Sequence, residues 1–305
     1  MWLGRGTLAC LPLFAMIGST AAALATSAAC IATTSSWWVT VRRLCMTGRP
    51  NPKAAKAPQG MPVGAGTSVT APTAAAHRDV HRALIASGIF GKTDSDVVSA
   101  WIEHVTPVRL PPGENVFAQG DTGSGLYLIA SGKVKMTYRH ADGREVVIDV
   151  VGASDVFGEV SPFDHGTREF TATTVTDVCA VVIERDQLQA WMAECPEIIY
   201  QFMRLLARRT DVTTKCSVDL FFADAASRVA KRLLLLGKRF GRRDGDVVRV
   251  RHDLTLEDIS LFAGVPAETV GTTLCDFRER GWIRFGDCCL EILDGQSLAA
   301  LPARR

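Results

Sequence analysis

Turn-forming residues recur at short, even intervals through one region of the chain, and this spacing most constrains the fold. Between residues 111 and 158, turns that contain glycine, proline or aspartate alternate with runs of four to six β-branched or alternating residues. Many short strands joined by frequent turns predict a β-barrel or jelly roll. Ala141-Asp142-Gly143 is predicted to be one of its hairpin turns. The turn signals are Pro111-Pro112-Gly113, Gly120-Asp121, Gly125, Gly132, Asp142-Gly143, Gly152 and Gly158, and the clearest strands are Leu126–Ile129, Val134–Tyr138 and Val146–Val151.

Helical segments flank this predicted β unit. Six residues of the longest one fall at alternating spacings of four and three, which is typical of the seam between paired helices. The middle of this seam is polar, so the spacing alone is weak evidence for a homodimer. The predicted helices are His81–Phe90, Asp94–Val105, one from near Asp186, one from about Glu197 to Phe222, and Ala225–Phe240; the seam residues are Phe202, Leu206, Arg209, Thr213, Cys216 and Leu220.

The segment from Leu254 to Phe277 has the signals of two short helices joined by a tight turn. Thr255 is predicted to cap the first helix, with Asp258 as the acid that bonds back to it. Gly264 can adopt the left-handed conformation that ends this helix. Pro266 or Val265 begins the second, whose buried face is predicted to be Val270, Leu274 and Phe277.

Two short strands follow this pair of helices, Gly281–Phe285 and Leu290–Leu293, and they suit a wing. A helix-turn-helix with a wing places its second helix in the major groove of double-stranded DNA, with the first residues of that helix at the base edges. A three-helix unit without a DNA role is the alternative. The candidate DNA-binding residues are Thr255, Glu257, Pro266, Ala267, Glu268, Thr269 and Thr272.

A second motif, Phe157-Gly158-Glu159 followed by Arg168, suits a nucleotide. The backbone of a glycine can approach a ligand closely, a glutamate can accept from ribose hydroxyls, and an arginine can pair with phosphate. A surface ion pair between Glu159 and Arg168 is the alternative explanation of these residue types.

Together these motifs resemble the cyclic-AMP receptor and fumarate–nitrate regulator (CRP/FNR) family, close to its actinobacterial branch. The glycines, Phe157-Gly158-Glu159, Arg168, the long helix and the helix-turn-helix follow in the order and spacing of that family from about Asp79 to Glu291. The resemblance implies that Gly158 and Glu159 contact the ribose of cyclic AMP and Arg168 its phosphate. It also implies that Thr213 and Thr214, on the dimerisation helix, contact the adenine, with one subunit reaching the ligand of the other.

Two departures from the family pattern bear on function. Glu169 replaces the Ser or Thr that normally donates to the phosphate; an ionised carboxylate cannot donate, repels an anion, and could instead pair with Arg168. In the second helix, Ala267 and Thr272 stand where the family has cations that read bases, while Glu268 is retained and can accept from a cytosine amino group. We therefore expect weakened cyclic-AMP binding and an altered DNA preference.

The N-terminal segment allows three interpretations. Residues 6–41 contain no Asp, Glu, Lys or Arg, and the stretch 11–32 is long and apolar enough for a membrane helix or signal sequence. A start placed too far upstream or a disordered extension is the favoured interpretation, with Met46 and Met61 as later starts; an anchor or an exported protein are the others. Residues 47–76 are rich in Pro, Gly, Ala and Thr and are predicted to be disordered.

Charge and cysteine content limit the remaining function classes. Seven of the 34 basic residues precede Asp79, the first acidic residue, so the rest of the chain carries 27 basic and 32 acidic side chains. DNA contact must therefore come from a local basic surface. The nine cysteines show no zinc-binding or iron–sulfur spacing. Cys288-Cys289 is interpreted as two small strand residues, with a redox-active or metal-binding pair as the alternative. The six histidines lie near no catalytic motif, so we expect neither an enzyme nor a metal site.

The sequence thus predicts an α+β protein. Its predicted parts are an extension (1–78), a cyclic-nucleotide-binding-like β-barrel (79–196), a dimerisation helix (197–222) and a winged helix-turn-helix (223–305). The predicted function is a cytoplasmic, homodimeric transcription regulator that binds DNA and RNA polymerase, with cyclic AMP as a possible effector. The alternative is a ligand-independent or protein-binding signalling protein whose DNA-reading domain has degenerated.

Overall fold

The computed structural model describes residues 74–105, 107–163, 167–285 and 289–301. The apolar stretch 11–32, the later starts Met46 and Met61, and most of segment 47–76 lie outside these residues. The last part of that segment was expected to be disordered, but the first helix already begins at Ala74. Of the helices in the described part of the chain, none is long and apolar enough to cross a bilayer.

The β unit consists of two four-stranded antiparallel sheets. One has the strand order β1-β8-β3-β6 and the other β2-β7-β4-β5. The predicted barrel is therefore an open, jelly-roll-like pair of sheets in the described structure, because the two sheets pair only within themselves. The strands are β1 (Pro107–Leu110), β2 (Asn115–Phe117), β3 (Leu126–Ser131), β4 (Lys133–Arg139), β5 (Glu145–Gly152), β6 (Val156–Phe157), β7 (Thr171–Thr174) and β8 (Val178–Ile183).

The predicted turns join these strands for steric reasons. Gly132 turns the chain from β3 to β4 with φ = 94°, and a Cβ there would lie 2.3 Å from the carbonyl oxygen of Asp177, so only glycine fits. The predicted hairpin turn between β4 and β5 is confirmed: Gly143 has φ = 87°, and the Asp142 carboxylate accepts from the backbone N–H of Arg144 at 3.0 Å. Residues such as Phe117, Phe157 and Ile129 fill the core between the sheets.

Three helices cover the outer face of the first sheet. Their core includes Trp101 and Trp191, whose rings stack with centroids 4.7 Å apart, and Phe90, whose ring meets Trp191 edge-on. The first helix both begins and ends earlier in the chain than predicted. Asp94 caps the second helix by accepting a hydrogen bond from the N–H of Asp96. These helices are α1 (Ala74–Ala86), α2 (Ser95–Ile102) and α3 (Arg185–Glu194).

The long helix α4 (Glu197–Phe222) has the predicted bounds, but its predicted seam is partly wrong. Phe202 is buried against the β unit, Arg209 pairs with Glu159, and Cys216 contacts Arg232. Phe202 and Arg209 lie on the face of the helix that packs on the β unit, and Cys216 lies against helix Ala225–Phe240, so all three side chains contact the rest of the same chain. The free face is offset from the prediction and carries Ile199, Met203, Leu206, Thr210, Thr213, Ser217 and Leu220, all exposed.

The C-terminal unit is a winged helix-turn-helix. The two predicted wing strands are present, and they belong to a four-stranded sheet of order β11-β12-β10-β9 whose other hairpin the sequence interpretation did not include. Asp224 caps the first helix by accepting from Ser227 N at 2.7 Å. Its elements are α5 (Ala225–Phe240), β9 (Gly241–Asp244), β10 (Val247–Val250), α6 (Leu256–Ala263), α7 (Ala267–Glu279), β11 (Ile283–Phe285), β12 (Leu290–Ile292) and α8 (Gly295–Ala299).

Candidate effector pocket and DNA interface

A cavity of about 610 Å³ lies between the β6–β7 segment and helix α4. It brings together four of the six residues predicted to bind a nucleotide: Glu159, Glu169, Thr213 and Thr214. The other two, Gly158 and Arg168, do not line it. The complete lining is Glu159, Val160, Glu169, Leu206, Arg209, Thr210, Thr213, Thr214, Ser217, Val218, Phe221 and Phe222.

The carboxylate of Glu159 forms an ion pair with Arg209 of α4, which also donates to the carbonyl oxygen of Val156. Both side chains are largely buried, with 14% and 21% of their surfaces exposed. Sequence interpretation placed Arg209 in a helix seam and missed this role. The contact spans 50 residues, so no local pattern could have revealed it.

Arg168 is almost fully buried beneath the pocket rather than exposed in it. Its two terminal nitrogens donate to the carbonyl oxygens of Gly158 and Gly125 and to Ser161 Oγ, at 2.9–3.1 Å. The guanidinium also lies 4.3 Å from the centre of the Phe117 ring. Burial lowers the pKa of Arg168 from its ordinary value. Because its bonds go to these groups, Arg168 does not pair with Glu169 or Glu159 in the described structure.

One polar atom of Arg168 suits a phosphate: Nε is buried and has no hydrogen-bond partner in the described structure. Two glycines leave room for the guanidinium group. A Cβ at Gly123 would lie 2.8 Å from it, and a Cβ at Gly158 would lie 2.7 Å from it. The residue types of Glu159 and Arg168 suit a ribose and a phosphate, but only Glu159 lines the cavity. Glu169 does not fit, because it is exposed and lines the same cavity, where an ionised carboxylate repels a phosphate.

The helix-turn-helix is formed by α6, a turn and α7. Its predicted capping box is present: Thr255 Oγ1 accepts from the N–H of Asp258, and the Asp258 carboxylate accepts from the N–H of Thr255, both at 3.0 Å. Gly264 ends α6 with φ = 63°, as the turn requires. Val270, Leu274 and Phe277 are buried as predicted.

The first turn of α7 is accessible. Pro266 precedes the helix without a side-chain cap, and Glu268 and Thr272 are exposed, while Ala267 and Thr269 are half-buried. At the start of α6, Thr255 and Glu257 are also exposed. Six of the seven candidate DNA-binding residues therefore occur at the starts of two helices, where backbone N–H groups are available to phosphates, and Thr272 lies one turn further along α7.

Three ion pairs hold the winged unit against the second sheet, and sequence interpretation missed them all. From β4, Lys133 reaches Asp253 and Lys135 reaches Asp258, each at 2.5 Å. From α5, Arg239 binds Asp149 of β5 through both terminal nitrogens, at 2.6 and 3.1 Å. The acid that caps α6 thus also anchors this helix to the β unit.

The sequence model of the cyclic nucleotide-binding domain family matches residues 107–195, and that of the Crp-like helix-turn-helix domain matches residues 227–301. A CRP-like cAMP-activated global transcriptional regulator of Mycobacterium tuberculosis is 46% identical over 216 residues, which cover 71% of this chain and 96% of the relative. The chain belongs to the CRP/FNR family of transcription regulators. It therefore combines a cyclic nucleotide-binding domain with a DNA-binding helix-turn-helix.

A further relative and two solved structures are similar to this chain. The cyclic AMP receptor protein of Thermus thermophilus is 33% identical over 189 residues, 62% of this chain and 84% of that protein. The structure of FixK2 from Bradyrhizobium japonicum shares the fold with a TM-score of 0.58 at 20% identity, over 66% of this chain and 98% of that one. The regulator CLP of Xanthomonas campestris has a TM-score of 0.56 at 24% identity, over 65% and 99% of the two chains.

Proposed function

We propose that this regulator binds double-stranded DNA by inserting the first two turns of α7 into the major groove. Glu268, Thr269 and Thr272 would face base edges, with Pro266 and Ala267 at the entry, and Thr255 and Glu257 would lie beside the phosphates. The observation that carries this proposal is the helix pair α6–α7, in which α6 begins with a capping box. In α7 the apolar residues Val270, Leu274 and Phe277 are buried, while Glu268 and Thr272 are exposed. The cations that would read guanines are replaced by Ala267 and Thr272.

We propose a cyclic nucleotide, and cyclic AMP in particular, as a weakly bound effector of the 610 Å³ cavity. The ribose would meet Gly158 and Glu159, the phosphate would meet Arg168, and the adenine would meet Thr213 and Thr214. The free Nε of Arg168 supports this placement. Glu169 opposes the phosphate, so DNA binding with little dependence on ligand is the expected behaviour.

We infer that the protein acts as a homodimer in the cytoplasm and contacts RNA polymerase. The free face of α4 supports dimerisation, because exposed apolar side chains at alternating spacings of three and four are typical of paired helices. The proposed domains are the cyclic-nucleotide-binding domain (79–196), the dimerisation helix (197–222) and the winged helix-turn-helix (223–305). Cytoplasmic location and polymerase contact follow from the proposed function as a regulator of transcription.

The test is capture of genomic DNA by the full chain, with and without cyclic AMP, followed by sequencing of the bound fragments. Enrichment of discrete sites, lost when α7 carries Thr269→Ala and Glu268→Ala, is the expected result. Capture without any enrichment over input DNA would contradict the proposal.

A second candidate function is a signalling protein that uses the cyclic nucleotide-binding domain and α4 for protein contacts. The replacement of two base-reading cations by Ala267 and Thr272 favours it. Retention on genomic DNA at physiological salt separates the two candidates, because a protein-binding function does not require it.

A further inference from the structure

A second cavity, of about 190 Å³, lies where helices α4, α5 and α6 meet, outside the effector pocket. Its polar lining is mainly cationic: four basic side chains and one carboxylate. The volume is enough for several water molecules and hence for a small polar group. The lining residues are Val212, Lys215, Cys216, Asp219, Leu220, Arg228, Lys231, Arg232, Leu235 and Ala263.

Two of the four cations are already neutralised by carboxylates. Lys215 pairs with Asp211 at 2.6 Å, one turn away on α4, and Lys231 pairs with Asp219 across the cavity wall. These two lysines therefore leave little net charge for a ligand to compensate.

The two arginines are different, because among the described residues neither has a carboxylate partner. Arg228 and Arg232 are four residues apart on α5 and so lie on the same side of the helix. Arg232 Nη1 donates only to the Sγ of Cys216, at 3.0 Å, and its guanidinium lies 4.4 Å from the centre of the Phe262 ring. Arg228 Nε is buried without a hydrogen-bond partner. Two half-buried guanidinium groups thus line one cavity, and neither is paired with the one carboxylate there, Asp219, which binds Lys231.

We propose that this cavity binds a phosphate group through Arg228 and Arg232. Guanidinium groups bind phosphate with paired, charge-assisted hydrogen bonds, and an unpaired buried donor gains most from such a ligand. A thioether or thiol sulfur is a weak acceptor, so a phosphate oxygen displaces Cys216 from Arg232 at little cost.

The position of the cavity gives the site a relation to DNA. Ala263 ends α6 at the cavity wall, and a Cβ on the next residue, Gly264, would lie 4.0 Å from Arg228 Nη1. Gly264 begins the turn into α7. The bound phosphate therefore lies beside the turn that positions the DNA-contacting helix, and it belongs either to the DNA backbone or to a free phosphorylated molecule.

The experiment measures binding of inorganic phosphate to the full chain by calorimetry at low ionic strength in chloride buffer. Arg228→Gln and Arg232→Gln are each expected to weaken phosphate binding by about tenfold, the scale of one charge-assisted contact. The matched control is Arg243→Gln, which removes an exposed cation of the same winged unit outside the cavity. Equal phosphate binding in the unmodified protein and both cavity variants would overturn the proposal.

A second measurement uses the unmodified protein, so it does not depend on the variants folding. Phosphate is expected to slow the alkylation of Cys216 by iodoacetamide and to leave the alkylation of Cys195 unaffected. Peptide mass spectrometry measures both rates. If the rate at Cys216 does not change when phosphate is added, the cavity is not the site.

The source of the phosphate follows from competition with a short DNA duplex. Release of bound phosphate by the duplex identifies the DNA backbone as the natural ligand, whereas simultaneous binding identifies a free phosphorylated molecule. Both results support the site. The calorimetric and alkylation arms contain no DNA, so failure of the proposed DNA function does not affect them.

Discussion

At the scale of single residues, the effector pocket depends on the charge at position 169. Arg209 neutralises Glu159, but Glu169 is exposed and lines the cavity. A phosphate charge about 4 Å from it would be repelled by roughly 4 kcal/mol at an effective dielectric constant of about 20, and solvent exposure reduces this value. We therefore predict that Glu169→Thr tightens cyclic-AMP binding by at least about tenfold, measured by calorimetry.

Two further variants make this measurement specific. Arg168→Ala should abolish whatever cyclic-AMP binding exists, and Glu103→Thr, which removes an exposed glutamate outside the pocket, should leave it unchanged. Micromolar affinity in the unmodified protein that Glu169→Thr does not alter would show that the carboxylate points away from the ligand.

The second prediction at this scale concerns Ala267 and Thr272 of α7. Each missing bidentate contact to guanine removes about 1–3 kcal/mol of discrimination between bases. We predict that the double variant Ala267→Arg, Thr272→Arg restores preference for the half-site usual in this family. Competition between this half-site and random DNA, followed by fluorescence anisotropy, measures the change. A strong preference already present in the unmodified protein would contradict our interpretation of the helix.

At the scale of elements, strand β4 holds the helix-turn-helix in place. Lys133 and Lys135 are two residues apart, so they extend from the same face of the strand towards Asp253 and Asp258. Lys135→Met would leave the largely buried Asp258 without its cation. We predict a loss of about 1–3 kcal/mol in the free energy of unfolding, measured by urea denaturation. Lys92→Met is the control, because the Lys92–Glu197 pair is exposed and should contribute little.

The same ion pair makes stability depend on pH. Burial raises the pKa of Asp258, but Lys135 and the hydrogen bonds from Thr255 outweigh it, so the pKa lies below its ordinary value. A carboxyl group with a lowered pKa stabilises the fold at pH values above its ordinary pKa. This stabilisation is lost as the pH falls through the folded-state pKa. As the pH falls through this range, Lys135→Met should therefore lose less free energy of unfolding than the unmodified protein. An unchanged pH profile would exclude the ion pair as the cause.

The free face of α4 leads to a prediction about assembly. Met203 is 65% exposed, whereas Phe202 is 4% exposed and its ring lies 5.0 Å from that of Phe163. We predict that Met203→Glu produces monomers without loss of stability, while Phe202→Ala lowers the free energy of unfolding by about 3–5 kcal/mol. Sedimentation equilibrium and thermal unfolding distinguish these effects. Intact dimers of Met203→Glu would place the interface elsewhere.

At the scale of the whole molecule, net charge sets how DNA is bound. The chain after residue 78 carries more acidic than basic side chains, so long-range attraction to DNA is weak and local phosphate contacts must supply the affinity. We predict at least about a hundredfold loss of affinity between about 50 and 200 mM salt. Anisotropy titrations over this range test the prediction. Salt-independent binding would show that contacts to bases supply the affinity.

Local signals in the sequence account for most of the elements. Thr255 and Asp258 are three residues apart, and Gly264 needs no distant partner to end a helix, so the helix-turn-helix was predicted with its caps and buried face. The same holds for the bounds of α4 and for the hairpin turn at Asp142-Gly143. The grouping of Glu159, Glu169, Thr213 and Thr214 came from the order of motifs in a known family.

Contacts between distant parts of the chain were decided only by the tertiary structure. A helix of 26 residues has several faces with similar spacing, and packing on the β unit and on α5 determined that Phe202, Arg209 and Cys216 turn inward. The Lys135–Asp258 pair joins residues 123 positions apart, and burial of Arg168 depends on loops that only the folded sheets bring together. Sequence by itself determined where helices, turns and motifs begin and end, because those are short-range preferences of the backbone. Which charges meet, and which arginines are left without a partner, followed from packing, because long-range contacts leave no periodic signal in the chain.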